Sequence, residues 1–121
     1  MKIALDFKFK NELSSDEIKR LKQLHLRNGL MFNHFKNEDD CSVVLAYHKS
    51  LIVGWGLVFF NIDEEMEFHV FVHKKYRRKQ IGTQIFELAS ELYPMGLCVL
   101  RWSDEASAFY SNFNVIEEDP K

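Results

Sequence analysis

Met66 to Val72 and Leu97 to Trp102 are apolar runs rich in β-branched and aromatic residues, and Ile81, Ile85, Leu88, Ala89 and Leu92 lie between them at helical spacing. A strand, a helix and a strand in that order imply a right-handed crossover between parallel neighbours. Upstream, Ser42 to Tyr47, Leu51 to Phe60 and Met66 to Val72 are joined only by His48-Lys49-Ser50 and an Asn61-Ile62-Asp63 turn. Such short links demand antiparallel pairing. The expected fold class is therefore α/β of the mixed α+β kind, a central antiparallel and parallel sheet flanked by helices.

The remaining elements follow from period and caps. Ile3, Leu5, Phe7 and Phe9 alternate with polar residues, as in a strand with one buried face. Ser14 and Glu17 make a capping box that starts a helix carrying Ile18, Leu21 and His25, with Leu13 as its staple and Asn28-Gly29 as its stop. Leu30 to Phe35 has the composition of a short second helix. Ser103-Asp104-Glu105 caps a last helix with Ala106, Phe109, Tyr110 and Phe113 on one face. Trp55, between Gly54 and Gly56, marks a bulge or close packing rather than a stacking platform.

The strand ending at Val72 runs into Lys74, Lys75, Arg77, Arg78 and Lys79, five cations in six residues, and then into the helix containing Gly82 and Thr83. Free N–H groups and the positive end of the helix dipole converge at such a point, which suits a phosphate. In mixed sheets, ligands bind beyond the carboxyl ends of the parallel strands, where this turn lies. His73 is expected to face water.

Composition restricts what this anchor serves. At 121 residues with 46% hydrophobic composition, the chain is expected to form one domain over residues 1–121. Its formal net charge of -2 makes the basic turn a local feature and disfavours a nucleic-acid coat. The two cysteines, Cys41 and Cys98, sit among apolar residues and read as buried thiols of a cytoplasmic protein. So few soft ligands argue against zinc, and no metal is expected. Charges interrupt the N-terminal apolar pattern, so neither a signal peptide nor a membrane span is expected.

Arg77-Arg78-Lys79-Gln80-Ile81-Gly82 after a strand ending in Val resembles the R/Q-x-x-G-x-G/A signature of the GNAT superfamily of N-acetyltransferases. Residues 103–115, from Ser103 to Val115, are similar to that family's N-x-x-A-x-x-F-Y-x-x-x-G-F. With the strand order, the resemblance covers about residues 43 to 115. It implies the acyl-CoA N-acyltransferase fold, with acetyl-coenzyme A as co-substrate held by Phe71, Val72, Arg77, Arg78, Lys79, Gln80, Ile81, Gly82, Thr83 and Ser103. Three departures stand out. Gln80 replaces the first Gly, which could crowd the phosphate or demand an awkward φ while keeping the N–H that makes the contact; Ser103 and Asn114 replace Asn and Gly. Only six residues follow Val115, so the final strand is shortened or comes from another subunit.

The resemblance also implies direct attack of a primary amine on the thioester, without a metal or covalent enzyme intermediate. Tyr110 takes the position of the acid that protonates the thiolate, and a backbone N–H near Val72 that of the oxyanion donor. For the base, the family's positions fall on Met66 and Phe68, which leaves Glu67 and His69 on the opposite parity unless a bulge reverses the strand. Glu67 and Glu64 are the carboxylate candidates. Asp63, Glu64, Glu65 and Glu67 together could attract a cationic amine, although a solvated turn is the favoured reading of the cluster. The acceptor is a small molecule or a protein. The short C-terminus and eleven phenylalanines suggest a homodimer. Two alternatives remain open: a non-catalytic coenzyme-binding or protein-interaction module on the same fold, and, less favoured, a nucleic-acid binder.

Overall fold

Alternation and capping build the elements in the order expected. In the computed structural model, which describes residues 2–24, 29–100, 109–110 and 116–118, β1 spans Ile3–Phe9 and α1 spans Ser15–Gln23. Ser14 Oγ accepts the Glu17 N–H at 3.1 Å and Glu17 Oε1 accepts the Ser14 N–H at 2.8 Å, closing the capping box. Helix α2 spans Leu30–Asn37, and Gly29 precedes it in the left-handed region at φ 66°. Lys10 Nζ caps the far end of α2, donating to the carbonyls of Phe35, Lys36 and Glu38 at 2.7, 3.1 and 2.9 Å. His25 and Asn28 lie outside the described residues.

β2 (Cys41–His48), β3 (Leu51–Phe60) and β4 (Met66–Val72) form the antiparallel meander, and α3 (Ile81–Leu92) crosses to β5 (Cys98–Leu100). β6 is Ile116–Glu118. The sheet order is β1-β2-β3-β4-β5-β6, antiparallel up to β4 and parallel from β4 to β6. Arg101 and Trp102 lie outside the described residues, as does most of the last expected helix, of which Phe109 and Tyr110 are helical.

The sheet carries a core on each face. Leu21, Leu24, Met31, Phe32 and Phe35 from α1 and α2 cover Val43, Leu45, Trp55, Leu57 and Phe59 on one side. On the other, Ile81, Ile85, Phe86 and Ala89 of α3 meet Val44, Ala46, Val58, Phe68 and Val99. β3 is buried from Ile52 to Phe59, as a central strand covered on both faces must be. Trp55 is fully buried and donates its indole N–H to the Leu24 carbonyl at 2.6 Å, so it is core and no stacking platform. Beside it, Val53 is the extra residue of a bulge, because Ala46 faces Gly54 while Tyr47 faces Ile52. Phe9 departs from the alternation and is 54% exposed, since β1 ends there in a tight turn over Lys10–Glu12. Cys41 and Cys98 are buried and unbridged. Among the described residues no helix is long and apolar enough to cross a membrane.

Candidate active site

The site begins where β4 and β5 stop pairing. Their ladder contains Glu67 opposite Cys98 and Phe68 opposite Val99. β4 nevertheless stays paired with β3 as far as Val72, and β5 stays paired with β6 as far as Leu100. The described pairing of β4 with β5 thus ends at Phe68 and Val99, and β5 is described only to Leu100. The His73 N–H donates to the Val53 carbonyl of the bulge at 2.8 Å, so it points toward β3. Strand alternation then turns the N–H and C=O groups of Val70 and Val72 away from β3, toward the β5 side of the strand. The Val72 carbonyl accepts Arg77 Nε at 2.9 Å, and the same guanidinium lies 5.3 Å from the centroid of the Phe71 ring.

Beyond β4 the chain makes a short 3-10 turn over Lys74–Tyr76. His73 does more than face water there: its Nδ1 accepts the Lys75 N–H at 3.2 Å. Burial, and then the charges of Arg20 and the neighbouring lysines, hold its imidazole below the ordinary value. Arg78 and Gln80 both lie in the left-handed region, at φ 63° and 61°. That is the conformation the missing glycine would have taken more easily, and Gln80 is the N-cap of α3. The first helical bond runs from the Gln84 N–H to the Gln80 carbonyl at 3.1 Å. Among the described residues, the N–H groups of Arg78, Gln80, Ile81, Gly82 and Thr83 show no bond to a protein acceptor, whereas Arg77 and Arg78 form a hydrogen-bonded turn that closes on Lys79. Arg78, Lys79 and Gln80 are exposed around them, while Ile81 is buried as the anchor of the turn. A Cβ on Gly82 would lie 3.4 Å from the Phe109 ring, an ordinary contact. The protein's own packing does not demand glycine at that position.

Tyr110 and Glu67 lie on opposite faces of the sheet. Tyr110 is 5% exposed within the α3-side core, edge-on to Phe86 at 6.2 Å, and burial pushes its phenol up. The register of β4 against β3 is unbroken, so no bulge reverses it. Glu67 and His69 therefore share the α2 face with Phe71, opposite Phe68, Val70 and Val72. Glu67 is 7% exposed. Its Oε2 lies 2.6 Å from His69 Nε2 and 3.9 Å from His34 Nε2, and its Oε1 accepts Asn61 Nδ2 at 3.2 Å. Burial works against the ionised carboxyl, but the bonds from His69 and Asn61 and the nearby imidazoles outweigh it and hold Glu67 below its ordinary value. Burial, reinforced by His69, also lowers His34.

Glu64 is not brought into this group. It is exposed in the turn before β4, at φ 62°, where strand parity no longer applies. Asp63 is exposed beside it, and the N–H groups of Asp63 and Glu65 donate to Asn61 Oδ1, so the expected four-carboxylate cluster reduces to Glu67. Ser103 and Asn114 lie outside the described residues. The sequence reading weighed His69 only for its parity and passed over His34, Phe59 and Asn61. The i, i+2 spacing of Glu67 and His69 on a strand signals a shared face, but nothing local to α2 announces that His34 meets them.

Comparison with known proteins adds to this geometry. The family model described as acetyltransferase (GNAT) domain matches residues 39–114. No curated protein matches the chain. Among solved structures, Escherichia coli ElaA is 18% identical with a TM-score of 0.69, covering 93% of this chain and 86% of its own. An aminoglycoside acetyltransferase from an uncultured soil metagenomic sample, HMB0005, is 20% identical at TM-score 0.67 and covers 100% and 96%. The PaiA N-acetyltransferase of Thermoplasma acidophilum, in complex with coenzyme A, is 14% identical at TM-score 0.66 and covers 93% and 88%.

Proposed function

Because the chain belongs to the GNAT acetyltransferase family, we propose that it transfers an acetyl group from acetyl-coenzyme A to a primary amine at the ends of β4 and β5. The observation that carries this reading is the set of uncommitted N–H groups at Arg78 and from Gln80 to Thr83 at the start of α3, just past the end of β4. The pyrophosphate takes those N–H groups, with Arg78 and Lys79 adding charge. The thioester arm enters between the two strands.

The amine nitrogen bonds to the thioester carbonyl carbon, and the oxygen's developing charge is met by the Val72 N–H. Collapse breaks the C–S bond, and the thiolate takes the Tyr110 proton; burial pushes the phenol up and so works against this transfer, and the phenolate regains its proton from solvent. The ammonium proton leaves toward Glu67 and His69 on the α2 face. Glu64 has no part in this arrangement.

Acetyl-coenzyme A at a hundredfold excess over Kd should stabilise the fold by about 2.7 kcal/mol, read as a rise in melting temperature. Acetylated product from a panel of primary amines, followed by mass spectrometry, should accompany it. Tyr110→Phe should keep coenzyme binding and lose about 10²-fold in kcat, within the range of general acid contributions; unchanged turnover removes Tyr110 from the mechanism. The depressed Glu67 carboxyl is a weaker base than a free one, which favours a second reading as a coenzyme-binding module. Binding without turnover on every amine would select that reading.

A further inference from the structure

We propose that His34, Glu67 and His69 form a binding site for a divalent transition-metal ion, with Zn²⁺ the best fit. One ligand atom from each lies within 4.8 Å of the others. Tetrahedral zinc with bonds of about 2.0–2.1 Å separates its ligand atoms by about 3.3 Å. The distance from Glu67 Oε2 to His69 Nε2 is 2.6 Å and that to His34 Nε2 is 3.9 Å, so the first must open and the second close, and the two imidazole nitrogens, within 4.8 Å of each other, must also draw together. Two imidazoles and one carboxylate suit zinc and its neighbours in the first transition row better than Mg²⁺ or Ca²⁺, which prefer oxygen. The sequence argument against zinc counted thiols. This donor set contains none.

The surroundings are arranged as an ion would need. Asn61 Nδ2 holds Glu67 Oε1 at 3.2 Å, which leaves Oε2 facing both imidazoles. Phe59 stacks on both rings, 4.7 Å from His34 and 5.9 Å from His69 between centroids, and the two imidazoles stack on each other at 5.1 Å and 29°, so one ring must turn for both lone pairs to meet the ion. Glu67 and His69 stand on a strand paired along its length with β3, and His34 on a helix anchored in the core through Phe32 and Phe35. The His34 side chain is 30% exposed while Glu67 is 9% and His69 12% exposed, which provides an entry path and room for water on the remaining positions. An ion here would tie α2 to β4.

The full chain, stripped with a chelator and free of coenzyme, is titrated calorimetrically with Zn²⁺. Saturation at one ion per chain is expected, with a higher melting temperature that Mg²⁺ does not reproduce. His34→Gln and His69→Gln should each weaken binding at least about tenfold, the lower end of the loss seen for even an outer-shell partner. His73→Gln, remote from the cluster, should bind like the parent. Heat absent at millimolar Zn²⁺, or parental affinity in either cluster variant, overturns the proposal. Should a cluster variant lose its far-UV circular dichroism, Co²⁺ added to the parent chain decides instead: visible d–d bands are expected, and their absence overturns the site. These readouts need neither coenzyme nor acceptor; because a bound ion would occupy Glu67 and His69, the groups given the ammonium proton above, acetyl transfer is measured on the chelator-stripped chain and stands or falls separately.

Discussion

Glu17 shows how one side chain can serve three elements. Its carboxylate caps α1 through the Ser14 N–H, pairs with Lys8 of β1 at 2.8 Å and accepts the Tyr47 hydroxyl of β2 at 3.1 Å. Burial opposes its ionisation, yet the bonds from Lys8, Ser14 and Tyr47 bring it down from the ordinary 4.5 to about 2. A depressed carboxyl contributes stability that is complete above 4.5 and lost as the pH falls through about 2. Glu17→Gln should therefore be less stable than the parent at neutral pH by about 1 kcal/mol, the size of a lost cap. That difference should shrink below pH 4.5 and vanish near pH 2, as measured by urea unfolding across that range. A constant difference would mean that the carboxylate's charge is immaterial.

At the level of elements, the start of α3 separates what the protein needs from what a ligand needs. Gln80 occupies the left-handed region without being glycine, at a cost of about 1–2 kcal/mol. Gln80→Gly should raise stability by about 1 kcal/mol once the freer unfolded chain is counted. Gly82 is the reverse case: an added Cβ meets only ordinary contact, so Gly82→Ala should leave the melting temperature nearly unchanged. Coenzyme affinity should nonetheless fall about tenfold if the diphosphate lies against that backbone. Equal affinity for parent and variant would place the ligand elsewhere. Local patterns made these elements legible. The Ser14 box, the two tight turns and the Ile81 stripe put β1, β4 and α3 where the structure has them, because period and caps depend on neighbours in the chain. The end of the β4 and β5 ladder depends on strands thirty residues apart, and no periodicity records it.

For the molecule as a whole, the fold class and strand order were legible because a crossover helix admits few topologies. The two-sided nature of the site was not. Sequence placed Tyr110 and Glu67 as candidates without the knowledge that they lie on opposite faces of the sheet, and His34 joins from a helix whose own pattern reports only that it is amphipathic. Residues 103–108, where the second motif begins, lie outside the described chain, so that part of the resemblance rests on sequence.

Gly56 faces α3 so closely that a Cβ there would come within 2.5 Å of Ile85 Cγ2 and 3.1 Å of the Phe68 ring. A single hydrogen atom on the central strand thus sets the height at which the helix rides, and with it the distance from cradle to cleft. Gly56→Ala would act as a shim, lifting the helix at a cost of about 1–3 kcal/mol. Loss of coenzyme affinity from a residue that touches no ligand, read by calorimetry on the folded variant, would show that the cradle is levelled from beneath.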